Sequence, residues 1–213
     1  QRRESLSTMY DASQEPVRSA AANTQATIDL LNAIDFANYQ PAGGAVYPQT
    51  DIGYALKSSA ALIKAQVGVE AIAIDLGGWD THNAQGPIDG QMAALMTSLS
   101  NSLGAFHTDI FTDLTNMVAV VMSEFGRNVR QNGSIGTDHG HGNVMLALGD
   151  HINGGQVISQ WPGLEDLYDG QDLHITIDYR DILAEIVQNR LGNANLGEVF
   201  PGYTPTFRGI TRC

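Results

Sequence analysis

The feature that most restricts the fold of this chain is an alternation of short, apolar, β-branched runs with longer amphipathic stretches. Three runs have the length and composition of strands: VEAIAIDL (69–76), MVAVVMSEF (117–125) and NVMLALGD (143–150). Apolar residues spaced by three and four predict four helices, over 16–39, from Ile52 to Ile63, over 88–110 and over 178–191. Thr50 or Asp51 would cap the second helix. This alternation predicts an α/β fold whose mostly parallel sheet is covered by helices on both faces.

The link before the third run decides the direction of that strand. Its sequence, NVRQNGSIGTDHGHG, is rich in glycine and has no helical stripe. A parallel neighbour needs a crossover of about a dozen residues or more, usually a helix. We therefore expect the strand at 143–150 to be antiparallel, which would bring three polar clusters to one edge of the sheet. A parallel strand would instead leave GTDHGHG at the opposite edge.

Those polar clusters carry the residues that could hold a metal. GGWDTH and SEFGR follow the first two strands, and GTDHGHG precedes the third. Carboxylates and imidazoles together suit zinc, manganese or iron, whereas calcium would require more oxygen ligands. The predicted metal ligands are Asp80, His82, Glu124, Asp138, His139 and His141. Arg127 is the predicted partner of a phosphate or sulfate oxygen.

Several of these residues also have simpler explanations. Asp80 could cap the following helix, and Glu124 could form a structural ion pair with Arg127. Asp138 could orient His139 as a hydrogen-bond acceptor without binding metal itself. The glycines around the histidines would permit tight turns and a close approach of metal and substrate.

Charge and cysteine content exclude some classes of function. Eleven basic and 23 acidic residues give a formal net charge of −12, which disfavours binding to nucleic acid or to an anionic membrane. No apolar run reaches the roughly 20 residues that a membrane-spanning helix needs. Cys213 is the single cysteine, so an internal disulfide is impossible, and a terminal thiol is a poor candidate nucleophile.

Several motifs in a fixed order resemble a known family. The motifs GGWDTH, VVMSEFGR, GTDHGHGNVMLALGD, GLEDLYDGQDL and TIDYRDILAEI resemble the C-terminal half of domain-of-unknown-function family 1501, over about residues 50–192. That family is typically exported by the twin-arginine route and groups with sulfatases and alkaline phosphatases. The resemblance implies an alkaline-phosphatase-like sheet and a periplasmic or extracellular location in a bacterium.

The resemblance also implies roles for individual residues. Asp80 and His82 resemble the metal-binding Asp and His that follow one strand in the superfamily, and His139 or His141 resembles a later metal-binding histidine. Glu124 keeps the acid of an acid–histidine pair, but Phe125 stands where the histidine is expected. The family's early Gly-Gly-x-Asp-Gly and Ser-His-Phe motifs, and with them the nucleophile, are not found in the sequence. We therefore expect the chain to be the C-terminal portion of a longer protein.

These observations predict one α/β domain over 1–213, with a helical lead-in and loop (1–49), a motif-bearing core (50–192) and a tail (193–213). The expected function is metal-dependent hydrolysis of small phosphate or sulfate esters with one or two divalent ions, zinc or manganese. A separate N-terminal portion would complete the site. The alternative is a non-catalytic exported protein of the same fold that acts in an assembly. A carbohydrate- or calcium-binding module is a third interpretation, which the imidazoles disfavour.

Overall fold

The structure is a computed structural model that describes residues 2–111 and 116–212, so Cys213 lies outside the described residues. These residues form helices and short strands and one 3-10 turn at Ala42–Gly44. In chain order the elements are α1 (Arg2–Asp11), α2 (Val17–Asn32), α3 (Asp51–Lys64), α4 (Gln91–Ile110), β1 (Val118–Val121), β2 (Gly126–Arg127), β3 (His139–Gly140), β4 (Leu146–Gly149), α5 (Tyr179–Leu191) and α6 (Leu196–Val199). No helix among the described residues is long and apolar enough to cross a membrane.

The predicted helices are all present, with some changes at their ends. The first of them ends at Asn32 rather than near residue 39. Of the two predicted caps Thr50 and Asp51, Thr50 caps α3, because its hydroxyl accepts a hydrogen bond from the Gly53 N–H at 3.3 Å. Asp178 caps α5 in the same way, by accepting from the Arg180 N–H at 2.9 Å. Local spacing and capping residues therefore placed the helices correctly.

The main core lies between α3 and α4. Its buried apolar side chains come from both helices and from the residue after α4: Ile52, Leu56, Ala60, Phe106, Ile110 and Phe111. Each is at most 8% exposed, so burial of this apolar surface stabilises the helix pair. Ile74 and Leu76, which precede the GGWDTH motif, pack against this core.

A buried carboxylate, Asp109, lies within α4 and ties a loop to this core. It accepts hydrogen bonds from the hydroxyls of Tyr39 and Tyr47 and from the Ala42 N–H, at 2.7–2.9 Å. The Lys64 ammonium completes the shell at 2.6 Å. Burial alone would raise the pKa of Asp109, but these hydrogen bonds hold it below its usual value.

The prediction of a mostly parallel, alkaline-phosphatase-like sheet is wrong. The described residues contain two small antiparallel sheets of two strands each, in which β1 pairs with β4 and β2 pairs with β3. The predicted strand at 69–76 has no regular secondary structure and belongs to no ladder of the described residues, and most of it is exposed. A β-branched run becomes a strand only when a neighbour takes up its backbone N–H and C=O groups, and composition cannot supply that neighbour.

The two longer strands are shorter than their apolar runs. β4 covers Leu146–Gly149 and runs antiparallel to β1, with Val118 opposite Gly149 and Val121 opposite Leu146. This is the direction expected for the run at 143–150. The polar segment before β4 therefore lies on the same side as the segment after β1, and β2 and β3 pair there.

The tail after α6 is anchored to α5 by two buried acidic side chains. Asp181 accepts hydrogen bonds from the Tyr203 hydroxyl, the Thr206 N–H and the Arg208 guanidinium, at 2.5–2.9 Å. Glu185 accepts from three backbone N–H groups, those of Arg208, Gly209 and Thr211, and from the Thr211 hydroxyl, at 2.7–2.9 Å. Both acids are at most 2% exposed, and each is surrounded by donors from the tail.

Candidate metal centre

Three donor atoms from two distant segments of the chain converge beside the β2–β3 pair. Asp80 Oδ1 lies 2.8 Å from His82 Nε2 and 2.7 Å from His139 Nε2. The two imidazole Nε2 atoms lie 3.1 Å apart. Among the described residues, these three form the group of acidic and imidazole donors whose ligand atoms lie within 4.8 Å of one another.

Close backbone packing brings the two segments together. β2 and β3 place Arg127 opposite His139, and the Thr137 N–H donates to the Thr81 carbonyl at 3.4 Å. A Cβ on Gly136 would lie 2.2 Å from the His82 carbonyl, a distance that no side chain tolerates. The glycine-rich sequence predicts tight turns and ligand access. Gly136 instead lets one loop lie directly on the other.

Asp138 does not join the three converging donors. Its Oδ1 lies 2.9 Å from His82 Nδ1 and accepts a hydrogen bond from the Asn132 side-chain amide at 2.9 Å. A carboxylate accepts, so His82 donates from Nδ1 to Asp138, and Nε2 is the ring nitrogen that lies 2.8 Å from Asp80 Oδ1. Metal-binding histidines commonly have this arrangement. Asp138 therefore orients an imidazole, but that imidazole is His82 and not His139.

Arg127 connects the two loops of the site. Its guanidinium donates to the carbonyls of Thr137, at 2.7 Å, and of Trp79. It also lies 3.3 Å from Asp80 Oδ1, and its side chain is 19% exposed. Arg127 thus adds positive charge beside the site while it holds the backbone that carries Asp80.

Besides Asp138, two predicted ligands lie outside the group of three donors. Glu124 is exposed in the turn between β1 and β2, and the ion pair that the structure gives Arg127 is with Asp80. His141 is exposed and packs its ring on Tyr168, with ring centroids 4.2 Å apart. The structure thus brings together three of the six predicted ligands, with Asp138 in contact with one of them.

Two residues that the sequence analysis did not place in the site contact its histidines. Phe125 stacks on the His139 ring, with centroids 3.9 Å apart and an interplanar angle of 26°. Asn132 reaches Asp138 and the His82 carbonyl with its side-chain amide. In the sequence, Phe125 stands out only as a departure from the superfamily pattern. Nothing in the local spacing of Asn132 distinguishes it from an ordinary loop residue.

The electrostatics keep both carboxylates ionised. The hydrogen bond with His139, together with the charges of His82, His139 and Arg127, lowers the pKa of Asp80 despite partial desolvation. Hydrogen bonds from Asn132 and His82 lower the pKa of Asp138. The side chains of Asp80, His82 and His139 remain 67%, 40% and 48% exposed, so a cation and a small substrate have access from solvent.

The donor set and its spacing fit a divalent transition metal. Bonds of about 2.1 Å in tetrahedral geometry separate neighbouring donors by about 3.4 Å. The observed separations of 2.7–3.1 Å would need to widen slightly as an ion entered. Two imidazoles and one carboxylate leave at least one coordination position for water or substrate, as catalytic zinc sites do.

Comparisons with known proteins give a family but no activity. Residues 2–197 match the family described as Protein of unknown function (DUF1501). The match extends beyond the motif-bearing segment at both ends and includes α1 and α2. Neither the curated proteins nor the solved structures give a match to the chain.

Proposed function

Since the chain belongs to the DUF1501 family of unknown function, we propose its function from the site itself: binding of a divalent metal for the hydrolysis of anionic esters. The observation that carries this proposal is the convergence of Asp80 Oδ1, His82 Nε2 and His139 Nε2 within 4.8 Å. Zinc and manganese suit this donor set, and iron shares its preference for imidazole and carboxylate. These three residues would hold the ion, and Asp138 would orient His82.

The proposed substrates are small phosphate or sulfate esters. A divalent ion supplies polarisation of an ester oxygen and of water. Arg127 lies beside Asp80 and offers a guanidinium of the geometry that binds such oxyanions. In a protein of net charge −12, a metal and this arginine would provide the local positive field that an anionic substrate requires.

One observation favours a second candidate, a non-catalytic protein with a structural metal. The Arg127 guanidinium already donates to two backbone carbonyls, so an anion would have to displace or share these contacts. In that case the ion would hold the loop at 79–82 against β3, and the protein would hydrolyse no ester. The two candidates agree on metal binding and differ on hydrolysis.

The first experiment is elemental analysis of the untagged protein, purified without chelator. We expect a near-stoichiometric transition metal that is lost in the His82→Ala/His139→Ala variant. The matched control is His107→Ala/His174→Ala, which removes two histidines outside the group of three donors and should retain the metal. Equal metal contents in wild type and His82→Ala/His139→Ala would contradict the proposed site.

The second experiment separates the two candidates. The metal-loaded protein is assayed with aryl phosphate and aryl sulfate esters, alone and with any separate N-terminal portion of the same protein. Hydrolysis that disappears in His82→Ala/His139→Ala supports the hydrolase. A stoichiometric metal without hydrolysis in either preparation supports the structural role.

We also propose export to the periplasm or beyond, which rests on the family's typical use of the twin-arginine route. Fractionation of the source cells would test this. Recovery of the protein in the cytoplasm alone would contradict it.

A further inference from the structure

We propose that Asn132 is a positioning residue of the metal centre, which fixes the orientation and tautomer of His82 through Asp138. The inference rests on the proposed metal site but concerns a residue that does not itself face the ion. Asn132 uses both ends of its side-chain amide, and the two ends serve different parts of the structure. One end shapes a turn, and the other holds the site.

The oxygen end shapes the turn that precedes β3. Asn132 Oδ1 accepts hydrogen bonds from the backbone N–H groups of Ser134 at 2.9 Å and Gly136 at 3.0 Å. The Asn132 N–H donates in turn to the Gly136 carbonyl at 2.9 Å. Because Oδ1 faces two N–H donors, the NH2 group must point the other way. Gly136, at the end of this turn, is the residue that lies directly on the His82 backbone.

The nitrogen end holds His82 in two ways. Asn132 Nδ2 donates to the His82 carbonyl at 3.0 Å, which fixes the backbone of the ligand. It also donates to Asp138 Oδ1 at 2.9 Å, the same oxygen that accepts from His82 Nδ1. The Asn132 amide therefore holds the Asp138 carboxylate in the position where it accepts the hydrogen bond from His82 Nδ1.

This arrangement fixes which imidazole nitrogen can bind a metal. With Nδ1–H donated to Asp138, Nε2 is the His82 nitrogen left for a metal, and it lies 2.8 Å from Asp80 Oδ1 and 3.1 Å from His139 Nε2. If Asp138 turned away, the ring could rotate and exchange tautomers, and fewer molecules would present Nε2 correctly. Partners that orient a metal-binding histidine in this way typically contribute about 10–100-fold to metal affinity.

The substitution Asn132→Asp separates the two ends of the amide. A carboxylate at residue 132 still accepts from Ser134 and Gly136, so the turn should remain. It cannot donate to Asp138 or to the His82 carbonyl, and it repels the Asp138 carboxylate. The matched control is Asn153→Asp, which also removes amide hydrogen bonds to two carbonyls, those of Gly209 and Thr211, but lies in a different part of the fold.

Two readouts test the proposal in the intact chain. Zinc titration, with cobalt absorption spectra as a report on ligand geometry, should show about ten-fold or more weaker binding and altered bands for Asn132→Asp. Asn153→Asp should match the wild type. In the metal-free protein, nitrogen NMR of the His82 ring should show a protonated Nδ1 in the wild type and a tautomer mixture in Asn132→Asp.

A reciprocal exchange adds a test of rescue. In Asn132→Asp/Asp138→Asn, the amide at residue 138 can donate to the new carboxylate and accept from His82 Nδ1. We expect the double variant to lose less zinc-binding free energy than the two single variants lose together, because the two residues are coupled. Losses that simply add would overturn the proposal.

The two proposals can fail separately. Unchanged zinc affinity, cobalt bands and His82 tautomer in Asn132→Asp would overturn the role of Asn132 while leaving the metal site intact. A wild-type protein that binds no metal would overturn the proposed function. The NMR measurement would still decide whether Asn132 fixes His82.

Discussion

Asp80 and Asp109 are both ionised aspartates held by several partners, but their surroundings are opposite. Asp109 is fully buried and is surrounded by two tyrosine hydroxyls, a backbone N–H and the Lys64 ammonium. The side chain of Asp80 is 67% exposed, and its closest partners are imidazoles. Imidazoles can exchange a hydrogen bond to a carboxylate for a bond to a metal, which an ammonium cannot do.

The difference shows how the surroundings of an acid indicate its role. A buried carboxylate must have its lone pairs satisfied by fixed donors, because an unpaired charge in the interior is very costly. An acid used for binding instead stays accessible, with partners that can rearrange. Asp181 and Glu185 belong with Asp109 by this criterion, since backbone N–H groups and other tail donors surround both.

The largest expected effect comes from removing the buried carboxylate of Asp109. Asp109→Ala would leave Lys64 and two tyrosine hydroxyls without their acceptor, and we expect it to lower the free energy of unfolding by about 3–5 kcal/mol. Urea unfolding measures this change. Asp89→Ala, at an exposed loop position, is the control and should leave the midpoint unchanged. A small loss for Asp109→Ala would show that its hydrogen-bond network contributes little to stability.

For the exposed Asp80, we expect a loss of metal binding without a loss of stability. Asp80→Asn keeps the shape of the side chain but removes the anionic ligand, so near-stoichiometric metal binding should be lost while the urea midpoint of the metal-free protein stays in place. Metal analysis and urea unfolding of the same preparation test both halves. Unfolding at clearly lower urea would mean that Asp80 serves the fold as Asp109 does.

A third effect concerns acid stability and Asp181. Burial raises the pKa of Asp181, but hydrogen bonds from Tyr203, Thr206 and Arg208 outweigh it and bring the pKa below the usual value. The folded protein then holds the proton less tightly than the unfolded chain, in which the pKa of an aspartate is about 3.9. This contribution is complete above about pH 4 and is lost as the pH falls towards the folded value.

Unfolding midpoints measured from pH 7 to pH 3 would test this dependence. The wild type should lose stability below about pH 4, and Asp181→Asn should be less stable at pH 7 but lose less on acidification. Parallel curves for the two proteins would show that Asp181 does not contribute to the acid transition.

The smallest effect is expected at Phe125, which touches the site without a polar contact. Phe125→Leu removes the ring that stacks on His139 at 3.9 Å, so His139 should be less well oriented and zinc binding should weaken several-fold. Phe125→Tyr keeps the ring and should bind as the wild type does. Isothermal titration of both variants tests whether the aromatic ring is required, and equal weakening in the two would contradict a stacking role.

The sequence predicted what depends on local spacing. The helices at 51–64, 91–110 and 179–191 follow from apolar periodicity and from caps such as Thr50. The strand at 69–76 did not form, because a strand needs hydrogen-bonding neighbours and the periodicity of a run does not identify them. The parallel sheet rested on the alternation of runs and on the family resemblance, neither of which identifies the hydrogen-bonding neighbours of a strand, and it was wrong for the same reason.

The site was predictable to a similar depth. Asp80, His82 and His139 were identified by residue type and by their positions next to apolar runs, and the structure brings them together. Asp138 was identified, but which imidazole it contacts depends on how two loops lie against each other. Asn132 acts only through its hydrogen-bonding geometry, so no sequence pattern distinguishes it from other loop asparagines.

The anchored tail also has a consequence for the order of events during synthesis. The family match ends at residue 197, yet the donors that satisfy Asp181 and Glu185 lie between Tyr203 and Thr211. While the ribosome is still adding those residues, α5 cannot bury its two acids without leaving them unpaired. Native docking of α5 must therefore wait for the tail to emerge, and a nascent chain stalled near residue 197 would expose α5 to proteases and chaperones.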